Sequence, residues 1–361
     1  MSHPYEQLPP KAFWRSAVGE RDPLQIDDLW ASKFAIGQDD PVATLGSCFA
    51  QHIGRALATA GYNWIDSEPP PLNFPETLRE RFNYSVFSAR IGNVYTVALL
   101  RQWLSWAFDE APSSREVWRA GDRVYDPFRP NIEPEGFASE AELFATRDQT
   151  LRAVRRMFET CSLFIFTLGL TESWSNSRDG NVYPICPGTI AGEFSPEDHR
   201  FHNYAYGEIH ADLNAAMDLI RAHNPSIRFL LTVSPVPLTA TASADHVLVA
   251  TTYSKSILRA VAGEVAATRS DTDYFPSFEI ISGFPFKGMF YQPNMRSVTR
   301  SGVDFVMRTF FRGIGASPDL ADSASVALEG ARPPIVAGKG PDVAEFVDPI
   351  CEDMMLDAFG D

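Results

Sequence analysis

Val42-Ala43-Thr44-Leu45-Gly46-Ser47-Cys48-Phe49-Ala50 is the stretch that decides the fold. Val42 to Leu45 reads as a short strand, and Gly46 lets the chain turn sharply at its end. Beyond it Phe49, Ile53, Leu57 and Ala60 recur at helical spacing, with Gln51, His52 and Arg55 off that face and Gly61 placed to stop the helix. The same grammar recurs downstream. A helical window through Leu151, Val154 and Phe158 feeds a strand at Leu163–Phe166, whose unbroken apolar character suits burial on both faces. Ile209, Leu213, Met217 and Ile220 mark another helix before the strand Ile227–Val233. A helical window from Ala242 to Thr268, an element at Tyr274–Ile281 and a helix from Gly302 to Phe311 complete the series. Strands alternating with helices predict a three-layer α/β/α sandwich with a mainly parallel sheet.

Less regular pieces interrupt the alternation. Residues 97–146 are expected to form a helical insertion, because Val97–Trp106 is apolar on most sides. Residues 172–205 are expected to form a hairpin excursion, signalled by Asp179-Gly180 between Trp174–Ser177 and Asn181–Tyr183. The α/β domain is thus expected over 1–317. Residues 318–361 read as an acidic linker and tail, whose Phe346, Ile350, Met354, Met355, Leu356 and Phe359 suggest a short segment that docks on the body or on a protein partner.

Composition narrows the function classes. The 361 residues are 45% hydrophobic and 21% charged, with a net charge of −15. From Asp319 onward there are ten acidic and two basic residues, so the tail holds about half of that excess. No basic stripe is present, and no nucleic-acid partner is expected. The apolar runs fall far short of the roughly 20 residues a membrane helix needs, and the N-terminus lacks a secretory pattern, so no membrane partner and a cytoplasmic location are expected. Cys48, Cys161, Cys186 and Cys351 read as thiols rather than a disulfide framework. There is no Gly-x-Gly-x-x-Gly, phosphate loop, Gly-x-Ser-x-Gly elbow or His-Glu-x-x-His, and His199 and His202 lack partners at zinc spacing. No cofactor and no metal are expected.

Cys48 stands where a strand ends and a helix begins, the edge at which open α/β sheets bind ligands. A helix N-terminus there stabilises a thiolate, the nucleophilic form of cysteine. The alternative reading is a small buried apolar residue. Among the histidines, His246 opens the helix after the third strand and is the preferred base or substrate ligand. His52 lies one turn after Cys48 on the same helix. His202 falls on an irregular segment suited to a substrate contact. Glu172 follows the turn after Leu168 and either orients an imidazole or pairs with Arg178. Arg296 is placed to bind an anionic substrate group.

Gly46-Ser47-Cys48-Phe49-Ala50 spells the motif of the GSCFA family, which the chain also resembles at Phe87-Ser88-Ala89-Arg90-Ile91-Gly92-Asn93-Val94-Tyr95-Thr96. Further likeness lies in Phe166-Thr167-Leu168-Gly169-Leu170-Thr171-Glu172, Val233-Ser234-Pro235-Val236, His246 with Ser254-Lys255, and Tyr274-Phe275-Pro276-Ser277-Phe278-Glu279. That family is similar to the SGNH or GDSL-type esterases. The resemblance implies a flavodoxin-like, SGNH-hydrolase-like fold. It puts Cys48 in the place of the nucleophilic serine and Ser47 in that of the preceding aspartate. Gly92 and Thr171 then take the oxyanion-donor places, with Asn93 a neighbouring donor. The Asp-x-x-His pair of such enzymes is replaced by Asn294 and Ser297.

The resemblance therefore implies an esterase or acyltransferase that uses a cysteine nucleophile on a small-molecule or carbohydrate ester. The catalytic set would be Cys48, His246, Gly92 and Thr171, with Ser47, Asn93, Glu172, His202 and Arg296 contacting substrate. The missing pair implies the alternative, a binding or scaffold protein that retains the crevice without hydrolysis.

Overall fold

The computed structural model describes residues 3–317 and Leu356. By internal contacts the described chain divides into two compact units, 37–274 and 3–36 together with 275–317. In chain order the elements are β1 (Val42–Gly46), α1 (Phe49–Thr59), α2 (Glu76–Arg79), α3 (Val97–Ala107), β2 (Trp118–Ala120), β3 (Arg123–Tyr125) and α4 (Glu140–Thr160). Then come β4 (Leu163–Leu168), β5 (Glu172–Asn176), β6 (Val182–Tyr183), β7 (His199–Asn203), α5 (Tyr206–His223), β8 (Arg228–Val233), α6 (Val247–Thr268), β9 (Thr272–Phe275), α7 (Ser277–Ser282) and α8 (Arg300–Gly313).

A four-stranded parallel sheet in the order β1-β4-β8-β9 forms the centre, flanked by helices as a three-layer α/β/α sandwich. All residues of β1 and β4 are buried, which is why their sequences lack polar alternation. The register sets Gly46 opposite Thr167 and Thr167 opposite Thr232. On its outer side β1 has no full strand. Val42 makes a single parallel bridge with Trp64, Trp64 Nε1 donates to Thr44 Oγ1 at 2.8 Å, and Thr44 N donates to Ser88 Oγ at 2.9 Å. The chain thus leaves β1 toward one side at Trp64 and returns on the other at β4, so a topological switch point opens at their carboxyl ends.

Residues 97–146 hold α3, the β2–β3 hairpin and the start of α4. Helix α3 packs with α4 and α5, and β2 pairs antiparallel with β3 through the two-residue turn Gly121-Asp122. The 172–205 excursion is a three-stranded antiparallel sheet, β6-β5-β7, in which Trp174 lies opposite both Tyr183 and Phe201.

Two sequence expectations shift. Tyr274–Ile281 is a strand and a helix, because Pro276 brings no N–H to a ladder and α7 starts directly after it. Helix α6 begins at Val247 rather than Ala242, since Thr241 and Ser243 bond each other and their neighbours in a turn.

In the other unit, Trp30 stacks on Phe310 at 5.8 Å and Gly313 leaves it room, a Cβ there falling 2.2 Å from the indole. Thr299 caps α8 by accepting from Gly302 N. The acidic linker and tail expected over 318–361 lie outside the described residues apart from Leu356. Among the described residues no helix is long and apolar enough to cross a membrane.

Candidate active site

Gly46 ends β1 with φ +137°, and a Cβ there would stand 2.3 Å from the carbonyl oxygen of Thr167. Only glycine lets β1 press so closely on β4 while its backbone takes that angle. Ser47 N then donates to Thr167 O at 3.0 Å, and α1 begins with Gln51 N donating to Cys48 O at 3.1 Å. Cys48 is therefore held at the helix N-terminus, 3% exposed. Burial pushes the thiols of Cys161 and Cys186 up to about 12 and about 11.

Two loops converge on this turn. The first carries Gly92, at φ +72°, and buried Asn93. Val94 N donates to Gly46 O at 2.8 Å, and Asn93 Oδ1 lies 3.4 Å from Gln51 Nε2 on α1. The second follows β4. Gly169 N and Leu170 N both donate to Tyr95 O, at 3.1 and 2.9 Å, so the two loops are tied to each other. Gly169 is also pressed against the site, since a Cβ on it would lie 3.0 Å from that of Ser47. Thr171 N donates to Ser254 Oγ at 3.1 Å, and Lys255 Nζ donates to Gly169 O at 2.7 Å. Among the described residues, the buried hydroxyls of Ser47, Thr167 and Thr171 have no hydrogen-bond partner. Such groups normally find one, so this corner suits a polar ligand atom.

A buried ionic network holds the Gly92 loop from behind. The backbone N of Arg90 donates to Glu68, and its carbonyl accepts from Arg129 Nη1 at 3.0 Å. Arg129 and Arg147 both bind Asp126, at 2.8 and 2.6 Å, with all three side chains essentially unexposed. Burial pushes Asp126 upward, but the two guanidinium groups outweigh it and hold its carboxyl below the ordinary value. The Arg90 guanidinium reaches Phe82 O, Ile132 O and Glu133.

The remaining sequence candidates lie at different places. His246 is exposed and caps α6, its Nδ1 accepting from Leu248 N at 3.2 Å. A neutral imidazole that accepts at Nδ1 carries its proton on Nε2. His52 is buried on α1 against Phe49, and burial, with Arg55 adding to it, lowers its pKa to about 3, so it stays neutral. Glu172 accepts from Thr241 Oγ1 at 2.8 Å, and burial raises its pKa. Arg178 binds Asp198 instead, at 2.6 Å. His202 contacts Glu208 at 2.9 Å and Tyr204 edge to face. Arg296 belongs to the other unit, where its N donates to Asn294 Oδ1, and Asn294 Nδ2 donates to Ser297 Oγ at 3.0 Å.

Backbone hydrogen bonds thus bring Ser47, Cys48, Asn93 and Thr171 together, whereas His246 and His202 spend their ring contacts on α6 and on Glu208. The carbonyl of Tyr95 and the side chain of Gln51 escaped the sequence reading. Lys255 left a legible sign, a lysine on the apolar face made by Leu258, Ala262 and Val265. Among the described residues no group of three His, Cys, Asp or Glu side chains is placed to hold a metal.

The fold and this corner define a parallel α/β protein with a cysteine at its switch point. The GSCFA family model matches residues 41–310, and the chain belongs to the GSCFA family. No match was found among curated proteins or among solved structures.

Proposed function

We propose that the chain is an acyl-transfer enzyme, an esterase or acyltransferase on an SGNH-like scaffold, with Cys48 as its nucleophile. The observation that carries this reading is the seat of Cys48, at the first turn of α1 between two hydrogen-bonded loops. The Cys48 thiolate attacks the acyl carbon of an ester or thioester. The oxyanion formed takes hydrogen bonds from Cys48 N–H, Gly92 N–H and the Thr171 hydroxyl, each such donor typically contributing about 2.7–4 kcal/mol. The bond to the leaving oxygen or sulfur breaks, the leaving group takes a proton, and an S-acyl enzyme remains. Water or an acceptor hydroxyl then attacks that thioester, and a proton returns to the sulfur. His246 relays these protons: it takes up the Cys48 thiol proton at Nδ1, which costs its cap on α6, and gives one to the leaving group from Nε2. Ser47, Asn93, Glu172 and His202 are proposed substrate contacts.

The test is intact mass after brief exposure to p-nitrophenyl acetate. One acetyl group located on Cys48 by peptide mapping, and lost in Cys48→Ala, is the expected result. A second reading, a binding protein that does not turn substrate over, is favoured by Asn294 and Ser297 bonding each other where an Asp-x-x-His pair would stand. A folded protein that forms no adduct decides for it.

A further inference from the structure

The acyl-transfer chemistry leaves a second concave surface unused. A groove of about 370 Å³ lies between the β2–β3 hairpin and the β5–β7 sheet, lined by Glu116, Trp118 and Arg119 on one side and Gly192, Glu193 and His199 on the other. The size is that of a small-ligand site. Its wall is closely built, since Gly192 has φ +74° and a Cβ on it would stand 2.8 Å from the Trp118 ring.

The polar groups here are fixed in direction. The Glu116 carboxylate accepts from Tyr183 OH at 2.8 Å, Asn176 Nδ2 at 2.9 Å and Trp118 Nε1 at 3.2 Å. His199 Nδ1 accepts from Ser195 N at 3.0 Å, so a neutral ring keeps Nε2–H as a donor. Glu193 is an exposed acceptor, and the one guanidinium in the lining, Arg119, is already bound to Glu140. Carboxylates therefore dominate the charge, which disfavours phosphates, carboxylates and nucleic acid. Aromatic rings continue the surface, with Phe194 against Trp174 at 5.1 Å and Trp174 against Phe201 at 5.5 Å. Fixed donors and acceptors beside aromatic rings, with no net positive charge, match a neutral polyhydroxyl ligand. Its hydroxyls meet the polar groups while its C–H faces pack on the rings.

The β5–β7 sheet links the groove to the residues beside Thr171 through the chain itself. Residues directly opposite in an antiparallel ladder share a face. The register sets Glu172 opposite Asn203, Trp174 opposite Phe201 and Asn176 opposite His199. One face of β5–β7 thus runs from Glu172, next to Thr171, to His199 in the groove, roughly 13 Å at 3.3 Å per residue. Asn203 Oδ1 is buried on that path without a partner among the described residues.

We infer that this groove binds a neutral oligosaccharide. That the sugar carries or receives the acyl group rests on the function proposed above; the binding itself does not. The test is the full chain on an array of immobilised neutral and anionic glycans, alongside Cys48→Ala and the surface variants Glu193→Ala and Phe194→Ala. Retention of a neutral glycan class by the native protein and by Cys48→Ala, weakened roughly tenfold or more in both surface variants, is the expected result. No retained neutral glycan, a preference for anionic ones, or binding indifferent to Glu193 and Phe194 overturns the inference. Because Cys48→Ala binds without turning over, failure of the acyl-transfer reading shows separately in the acetylation experiment.

Discussion

Lys255 Nζ donates to the carbonyl oxygen of Gly169 at 2.7 Å from a side chain only 2% exposed, and the residue before it, Ser254, accepts from Thr171 N. Two consecutive residues of α6 therefore hold both ends of the loop that presents Thr171. Lys255→Met keeps the apolar stem and leaves the Gly169 carbonyl without this donor, which costs about 1–3 kcal/mol. The expected outcome is a lower urea midpoint together with slower acetylation of Cys48 by p-nitrophenyl acetate. A variant that loses stability while acetylating at the native rate shows that the loop's position does not matter to the chemistry.

Gly46 and Gly61 both take positive φ angles, +137° and +75°, but only Gly46 is crowded. Gly61→Ala meets open space and should cost only about 1–2 kcal/mol of backbone strain. Gly46→Ala drives a methyl into the Thr167 backbone, and a loss above about 4 kcal/mol or failure to fold is expected. Equal denaturation midpoints for the two variants would contradict the tight β1–β4 junction.

His246 has two duties in the proposed mechanism, and asparagine performs only one of them. Asn caps helices as well as any residue but carries no titratable nitrogen. His246→Asn should therefore retain native stability within about 1 kcal/mol while deacylation slows by roughly 10²-fold or more. Unchanged acylation and deacylation rates in a stable His246→Asn protein assign the relay to another group.

His52 contributes an acid-sensitive element of stability. Its pKa falls from an ordinary 6.5 to about 3 in the folded chain, through burial first and Arg55 second. Between those values the unfolded chain binds a proton that the folded chain does not, so stability rises with pH across the window and is lost as pH falls through it. The loss reaches about 4 kcal/mol at the acid end, because each step of one in pH across that window removes about 1.4 kcal/mol. Urea midpoints from pH 7 to pH 3.5 should fall more steeply for the native protein than for His52→Gln. Parallel curves would rule out a neutral buried His52.

The central sheet is legible in the sequence because burial on both faces leaves continuous apolar runs, as in Leu163–Phe166 and Ile227–Val233. The hairpin β2–β3 is harder to read, since its strands have three residues each and only Gly121-Asp122 marks the turn. The position of Cys48 could be read from strand, glycine and helix taken together. The partners of Glu172 could not, because Thr241 lies 69 residues away and Arg178, its near neighbour, is taken by Asp198. The same limit hides the Asp126, Arg129 and Arg147 cluster. Charged residues in sequence look solvated, and only the folded chain brings their opposite charges together inside.

The outer side of β1 is closed by the Trp64 bridge, by Ser88 and by Val94, not by a fifth strand. An uncovered strand edge is a template on which another chain can polymerise. The segment that brings Gly92 and Asn93 to Cys48 therefore also guards the sheet against self-association, and damage to it will surface as insolubility as well as lost reactivity.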